Sequence, residues 1–153
     1  MVVVFGEILL DIFPDYTRIG GAPFNFAFHL HRLGLPVRFV SRIGRDDNGD
    51  KIRSFLGTQG FPEVDLQIDA QRPTGTVQVS LDAAGSPEFD IRPNVAYDEI
   101  DLSHLAPSLA DRPPALFYFG TLAQRTPAAH ERLLRFLDHL PDPTCCFYDI
   151  NLR

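Results

Sequence analysis

Gly20-Gly-Ala-Pro-Phe-Asn-Phe-Ala27, running on to Leu33-Gly34, is the stretch from which this chain is best read. Two glycines let another group approach the backbone closely, and Pro23 stands where the first residue of a helix belongs. Behind it, Phe26, Leu30 and Leu33 recur at spacings of four and three, and Phe24, Ala27 and Phe28 widen that stripe most of the way round. The pattern predicts a well-buried helix, ended by Gly34 and kept from continuing by Pro36. Its N-terminus offers free backbone N–H groups directly after the glycines. Asn25, in the first turn, carries an amide that both donates and accepts, which matches a ligand rich in hydroxyls. The plainer reading, a glycine turn before a capped helix, stays open on these residues alone.

Upstream, Val2 to Phe5 and Ile8 to Phe13 read as two strand segments separated by a bend at Gly6-Glu7, with a turn at Pro14-Asp15. Downstream, Val37 to Ile43 reads as a core strand. Asp46-Asp47-Asn48 can cap a helix over about Gly49 to Thr58, with Ile52, Phe55 and Leu56 on one face. Val64 to Ile68 alternates like a strand. Thr74 to Leu81 and Glu88 to Arg92 read as a hairpin turning at 82–87, and Leu116 to Phe119 as another buried strand. Pro127 to Leu140 is predicted helical with Leu133, Leu134 and Leu137 inward, and Thr144 to Leu152 as a last strand. Strands alternating with helices predict an α/β fold with a mostly parallel sheet. The polar-alternating hairpin interrupts that rhythm and suits either a lid over a site or an edge hairpin with no role.

The bulk numbers close off several classes. The 153 residues suffice for one domain with a core, and 44% hydrophobic with 22% charged residues is ordinary for a globular protein. A net charge of −6 argues against a nucleic-acid binder. No apolar run approaches the roughly 18 residues of a membrane span, and Met1 to Phe5 reads as a buried strand and not a leader. Cys145 and Cys146 are neighbours on opposite faces of a strand, so no disulfide or zinc site is expected, and a reducing cytoplasm is the simplest compartment. Lys51 follows Asp50, so no Walker loop exists. GxGxxG and GxSxG are also absent. His29 and His31 point different ways on a helix, and His104, His130 and His139 read as surface residues.

Two further polar positions stand out. Asp11 interrupts the apolar run Ile8-Leu-Leu-Asp-Ile-Phe13, so it must find hydrogen-bond partners or stay near solvent at the strand's end. Gripping a pair of hydroxyls is one solution and a solvent-facing aspartate is another. In Asp149-Ile-Asn-Leu-Arg153, alternation puts Asp149, Asn151 and Arg153 on one face. The carboxyl end of a parallel strand is where such sheets bind ligands. A wet face of an edge strand is disfavoured by the apolar residues Cys145 to Tyr148 just before it.

Together these residues resemble the PfkB/ribokinase family of carbohydrate kinases. Gly20, Gly21, Pro23, Asn25, Ala27, Gly34 and Gly44 fit the places of its first signature. Gly6-Glu-Ile-Leu-Leu-Asp11 resembles its opening strand, Ile43-Gly-Arg-Asp-Asp-Asn-Gly49 its glycine-aspartate turn, and Asp149-Ile-Asn-Leu-Arg153 its DxNxR strand end. The resemblance implies a ribokinase-like three-layer sandwich with a small β lid, formed here by about residues 12–20 and 74–95. It implies transfer of the ATP γ-phosphoryl group, with Mg2+, to a sugar hydroxyl, and the tone of Thr74-Gly-Thr-Val-Gln-Val79 is fructokinase-like. Asp11, Gly20, Gly21 and Asn25 would hold the sugar, Phe89 and Arg92 would reach it from the lid, and Asn151 and Arg153 would stand near the sugar or the transferred group. Lid-to-lid homodimers are also implied.

The family's second signature, with its anion hole and aspartate base, has no counterpart in the sequence, so no catalytic base is assigned within residues 1–153. The expectation is a chain carrying the sugar-binding portion of a fructokinase-like enzyme. The alternatives are a non-catalytic sugar-binding or dimerising module, or a kinase of a nucleoside or sugar acid.

Overall fold

The computed structural model describes residues 1–81 and 86–151. The turn expected at 82–87 is therefore described only at its ends, and Leu152 and Arg153 lie outside the described residues. Five parallel strands form the central sheet: β1 (Val2–Phe5), β4 (Val37–Gly44), β5 (Leu66–Asp69), β8 (Leu116–Gly120) and β9 (Cys145–Asp149), in the order β5-β4-β1-β8-β9. A second, four-stranded sheet is ordered β3-β2-β6-β7, from β2 (Leu9–Ile12), β3 (Thr17–Gly20), β6 (Thr76–Leu81) and β7 (Pro87–Ile91). The bend at Gly6-Glu7 is the crossing point: β1 belongs to the central sheet and β2 to the second. The hairpin stands in that second sheet and not in the middle of the core.

β1 pairs on both sides, with β4 and with β8, so both its faces must be covered. Alternation divides its side chains between two cores. Val4 joins Ile8, Phe39, Ile43 and Tyr118 beneath α1 (Ala22–Arg32) and α2 (Asp47–Thr58). Val3 and Phe5 join Val40, Phe117 and Phe119 beneath α3 (Leu105–Ala110) and α4 (Pro127–Leu137). The result is a three-layer α/β sandwich. On the α1 side, Phe24 sits within 5.6–6.4 Å, ring centre to ring centre, of Phe28, Phe39, Phe55 and Phe61. Such tilted and edge-on pairs add about 0.5–1.5 kcal/mol each beyond burial, and they fix α1 on the sheet.

Three expectations need correcting. Leu33 is not on the buried stripe of α1: it is the C-cap residue and 76% exposed, while Pro23, Phe24 and Ala27 are buried. At about 100° per residue, Leu33 falls on the side of α1 opposite Phe24, which faces the sheet. Leu134 on α4 is 47% exposed, whereas Leu133 and Phe136 are buried; with 3.6 residues per turn adjacent leucines cannot both face in. The third concerns β9, which ends at Asp149 and is an edge strand of the described sheet, with Cys145 to Tyr148 exposed. Phe147 and Tyr148 stack on Tyr118 and Phe119 of β8, yet among the described residues they stay 51% and 45% exposed. The short 3-10 helix Ala96–Glu99 and α3 had no periodic signal long enough to be found.

Asp46 joins the two sheets. As N-cap of α2 its Oδ1 accepts from Gly49 N at 2.8 Å and from Thr74 Oγ1 at 2.6 Å, while Oδ2 accepts from Thr74 N at 2.8 Å. Thr74 immediately precedes the hairpin, so one carboxylate starts a helix and anchors a strand. Burial pushes this carboxyl up, but the bonds from Thr74, Gly49 and Asn48 outweigh that and hold it below the usual aspartate range. Asp46→Ala is expected to destabilise the fold by about 2–4 kcal/mol at pH 7 through the lost cap and charged hydrogen bonds. A depressed folded-state pKa contributes stability above the unfolded pKa and loses it as pH falls through the folded value, so the deficit should shrink below about pH 4. Urea denaturation of both proteins at the two pH values checks this. A deficit independent of pH would contradict the ionic account.

Candidate functional site

One cleft of about 620 Å3 lies between the second sheet and the carboxyl ends of the central strands. Its walls come from four places in the sequence: the β1–β2 crossing (Glu7, Leu9, Asp11), the start of α1 (Gly21, Asn25), the hairpin (Val77, Ile91), and the ends of β8 and β9 (Thr121, Gln124, Arg125, Tyr148, Asp149, Asn151). Asp11 and Asn25, chosen from unrelated signals, share it with Gly21 and Asn151.

Strand geometry explains the Asp11 position. Asp11 stands opposite Val77 and Arg18 in register, so its side chain leaves the same face of the second sheet as theirs, and all three line the cleft. The Asp11 side chain is 18% exposed, with Arg18 Nη2 at 3.9 Å from Oδ2. Gly20 does not line the cleft, but a Cβ there would stand 2.5 Å from Asp11 Oδ2, so its bareness is what admits the carboxylate. Gly21 is the N-cap of α1 with φ 111°, and a Cβ there would meet the Glu7 carbonyl oxygen at 2.6 Å. The two glycines thus press α1 and β2 against one another, and Asn25 emerges exposed on the cleft side one turn later.

At the other end, Thr121 organises the chain after β9: its hydroxyl donates to the Asp149 carbonyl at 3.4 Å and accepts from Asn151 N at 3.1 Å. Asp149 Oδ2 accepts from the Tyr118 hydroxyl, whose pKa is raised by burial and by that carboxylate. The two polar positions Asp149 and Asn151 therefore meet at the cleft, while Arg153 lies outside the described residues. Phe89 and Arg92 are not brought to the cleft wall. Phe89 pairs with Val79, two residues farther along the hairpin than Ile91, and is 42% exposed. Arg92 is exposed, and its backbone carbonyl accepts from Arg125.

Sequence reasoning missed Glu7, Thr121, Gln124, Arg125 and Tyr148, and took His130 for a surface residue only. His130 is exposed, but it stands at the rim with Nδ1 2.9 Å from Gln124 Oε1. Glu7 carried the signal that revealed Asp11, a carboxylate inside an apolar run, and it is only 4% exposed. Thr121, Gln124 and Arg125 sit between β8 and α4 with no motif, and Tyr148 lies in β9, where it read only as part of an apolar run. Among the described residues no group of three His, Cys, Asp or Glu side chains could hold a metal ion, and no helix is long and apolar enough to cross a membrane.

A parallel sheet between two helical layers, with a small mixed sheet roofing a polar cleft, is a ribokinase-like α/β architecture. The chain belongs to the pfkB family of carbohydrate kinases, whose model matches residues 3–137. It is 30% identical to Fructokinase-1 of Oryza sativa subsp. japonica over 168 residues, covering 100% of this chain and 51% of that enzyme. Among solved structures, an uncharacterized sugar kinase from Pyrococcus horikoshii superposes with a TM-score of 0.86 at 24% identity, over 100% of this chain and 56% of that one. A fructokinase from Xylella fastidiosa gives 0.81 at 22% identity, over 99% and 50%. The chain spans about half the length of the curated relatives it matches.

Proposed function

We propose that this chain supplies the sugar-binding wall of a fructokinase-like kinase, which transfers the γ-phosphoryl group of ATP to a sugar hydroxyl in the cytoplasm. The observation that carries the reading is the convergence of Asp11, Gly21, Asn25 and Asn151 on one cleft. Carboxylate and amide groups match hydroxyls as acceptors and donors, and the glycines allow a ring to approach the backbone. Both arginines at the cleft already face carboxylates, Arg18 at 3.9 Å from Asp11 and Arg125 at 2.7 Å from Asp98. That pairing favours an uncharged polyol over a sugar acid. ATP enters through the relatives: the Xylella fastidiosa fructokinase has been solved with bound ATP. Mg2+ would accompany the nucleotide. Among the described residues no carboxylate cluster is placed to hold it.

The test is titration of the chain with fructose and related hexoses, followed by amide chemical shifts. Fructose should shift residues around Asp11, Gly21 and Asn25. Asp11→Ala should weaken it about a hundredfold, as expected when charged hydrogen bonds to a ligand are lost, and Asn25→Ala about tenfold. In a complete enzyme Asn25→Ala should raise the sugar KM and leave the ATP KM unchanged. Equal losses for both ligands would contradict the role given to Asn25.

We also propose association through the second sheet, whose outer strands β3 and β7 lie at the two ends of the described order β3-β2-β6-β7, where a strand of a second copy could add to the sheet. Sedimentation equilibrium should show a dimer, and Phe89→Lys on the exposed edge should shift it to monomer. A monomeric wild-type chain would remove the proposal.

A further inference from the structure

Arg125 stands at the mouth of the cleft, in the loop between β8 and α4, yet its guanidinium is turned to structural work. Nε donates to Asp98 Oδ1 at 2.7 Å and Nη2 to Asp98 Oδ2 at 2.8 Å, a two-pronged pair with a carboxylate only 4% exposed. Nη2 also donates to the Arg92 carbonyl at 2.7 Å, and the guanidinium carbon lies 5.0 Å over the Tyr97 ring. Each partner belongs to the segment by which the second sheet returns to the core. The Arg92 amide donates to the Thr76 carbonyl and so closes the base of the hairpin. Asp98 accepts from Val95 N at 3.0 Å and holds the turn that follows. Tyr97, fully buried, packs against Gly75 so closely that a Cβ there would overlap its ring. The Gly75 carbonyl in turn accepts from Leu10 N, in the strand that carries Asp11.

The entering strand β2, the base of the hairpin and the exit after β7 are thus tied together around Tyr97. Arg125 joins that knot to a wall that carries Thr121 and Gln124. We propose that Arg125 is a positioning residue: it fixes the second sheet over the cleft and thereby sets the distance between Asp11 and the groups at the ends of β8 and β9. Its consequence for ligand affinity rests on the sugar-site reading above; its consequence for the mobility of the sheet does not.

Arg125→Lys retains the charge but loses the planar fork that meets both oxygens and the carbonyl at once. Asp98→Asn breaks the same pair while keeping an acceptor for Val95 N, and serves if the first variant does not fold. Two readouts decide. Amide hydrogen exchange at Val77, Val79 and Asp90 should quicken about tenfold or more in either variant, with Val4, Val40 and Phe117 of the central sheet changing less than about twofold. The dissociation constant for fructose should rise about tenfold. Uniform acceleration across both sheets would reduce Arg125 to a general stabiliser and overturn the proposal, as would no acceleration at all. A loosened second sheet with unchanged fructose affinity would overturn the positioning role. If the wild-type chain binds no hexose, the sugar reading falls, while the exchange pattern still decides whether Arg125 holds the sheet.

Discussion

The purified 153-residue chain, supplied with ATP, Mg2+ and fructose, is expected to release no ADP above background. Phosphoryl transfer needs the nucleotide held, its charge neutralised and a group beside the attacking hydroxyl to receive its proton. The sugar side has candidates in Asp11, Asn25 and Asn151. The nucleotide side has none among the described residues. Lys51 lies exposed on α2, 3.5 Å from Asn48 Oδ1, away from the cleft. Asp11, in the sugar-holding role proposed for it, is not the expected base, and its carboxylate already stands 3.9 Å from the Arg18 guanidinium. Asp149 accepts a hydrogen bond from Tyr118. A coupled ADP-release assay decides. Sugar-dependent turnover within tenfold of a typical kinase, about 1–100 per second, would mean that the catalytic groups are already in this chain.

Replacing Gly21 by alanine should cost about 2–6 kcal/mol of stability, from a left-handed backbone strain of about 1–3 and overpacking of about 1–3. At φ 111° a side chain is strained whatever space is available, and here the added carbon would also stand 2.6 Å from the Glu7 carbonyl oxygen. That oxygen belongs to the crossing between the two sheets, which cannot retreat without moving β2. Set against a total stability of about 5–15 kcal/mol for a domain, the variant should be largely unfolded or should melt far below the wild type. Gly57→Ala is the control, because nothing lies within 4 Å of a Cβ at that helical position. Thermal melts followed by circular dichroism compare the three proteins, and a Gly21→Ala melt matching that of Gly57→Ala would contradict the close-packing account.

The fold was legible where the local pattern and the global demand agreed. Val2 to Phe5 is a β-branched run because β1 lies at the centre of the sheet, covered on both faces. Gly6-Glu7 read as a bend because the chain there leaves one sheet for the other. At β9 the apolar pattern and the burial among the described residues differ: Phe147 and Tyr148 stack on β8 but stay partly exposed, and a local pattern carries no information on what lies over a strand's faces. In the candidate site, Asp11, Gly21 and Asn25 could be read because a polar or bare residue contradicted its apolar setting. Thr121, Gln124 and Arg125 could not, because polar residues in a loop contradict nothing. Their placement follows from Thr121 meeting the end of β9 and Arg125 meeting Asp98, both long-range contacts that no local spacing encodes.

The strand order has a consequence for how the chain is made. Strand β1, which precedes the other described strands in the chain, ends at the centre of the sheet, flanked on one side by β4, which follows after α1, and on the other by β8, which begins only at Leu116. The aromatic core under α1 and α2 can close while β8 is still unsynthesised. Throughout that interval β1 presents a bare row of N–H and C=O groups along its second edge, and Val3 and Phe5 lack their cover. The nascent protein therefore passes through a stage with one finished face and one adhesive face, when a chaperone or a neighbouring polypeptide has the same access to β1 as the strand that will eventually claim it.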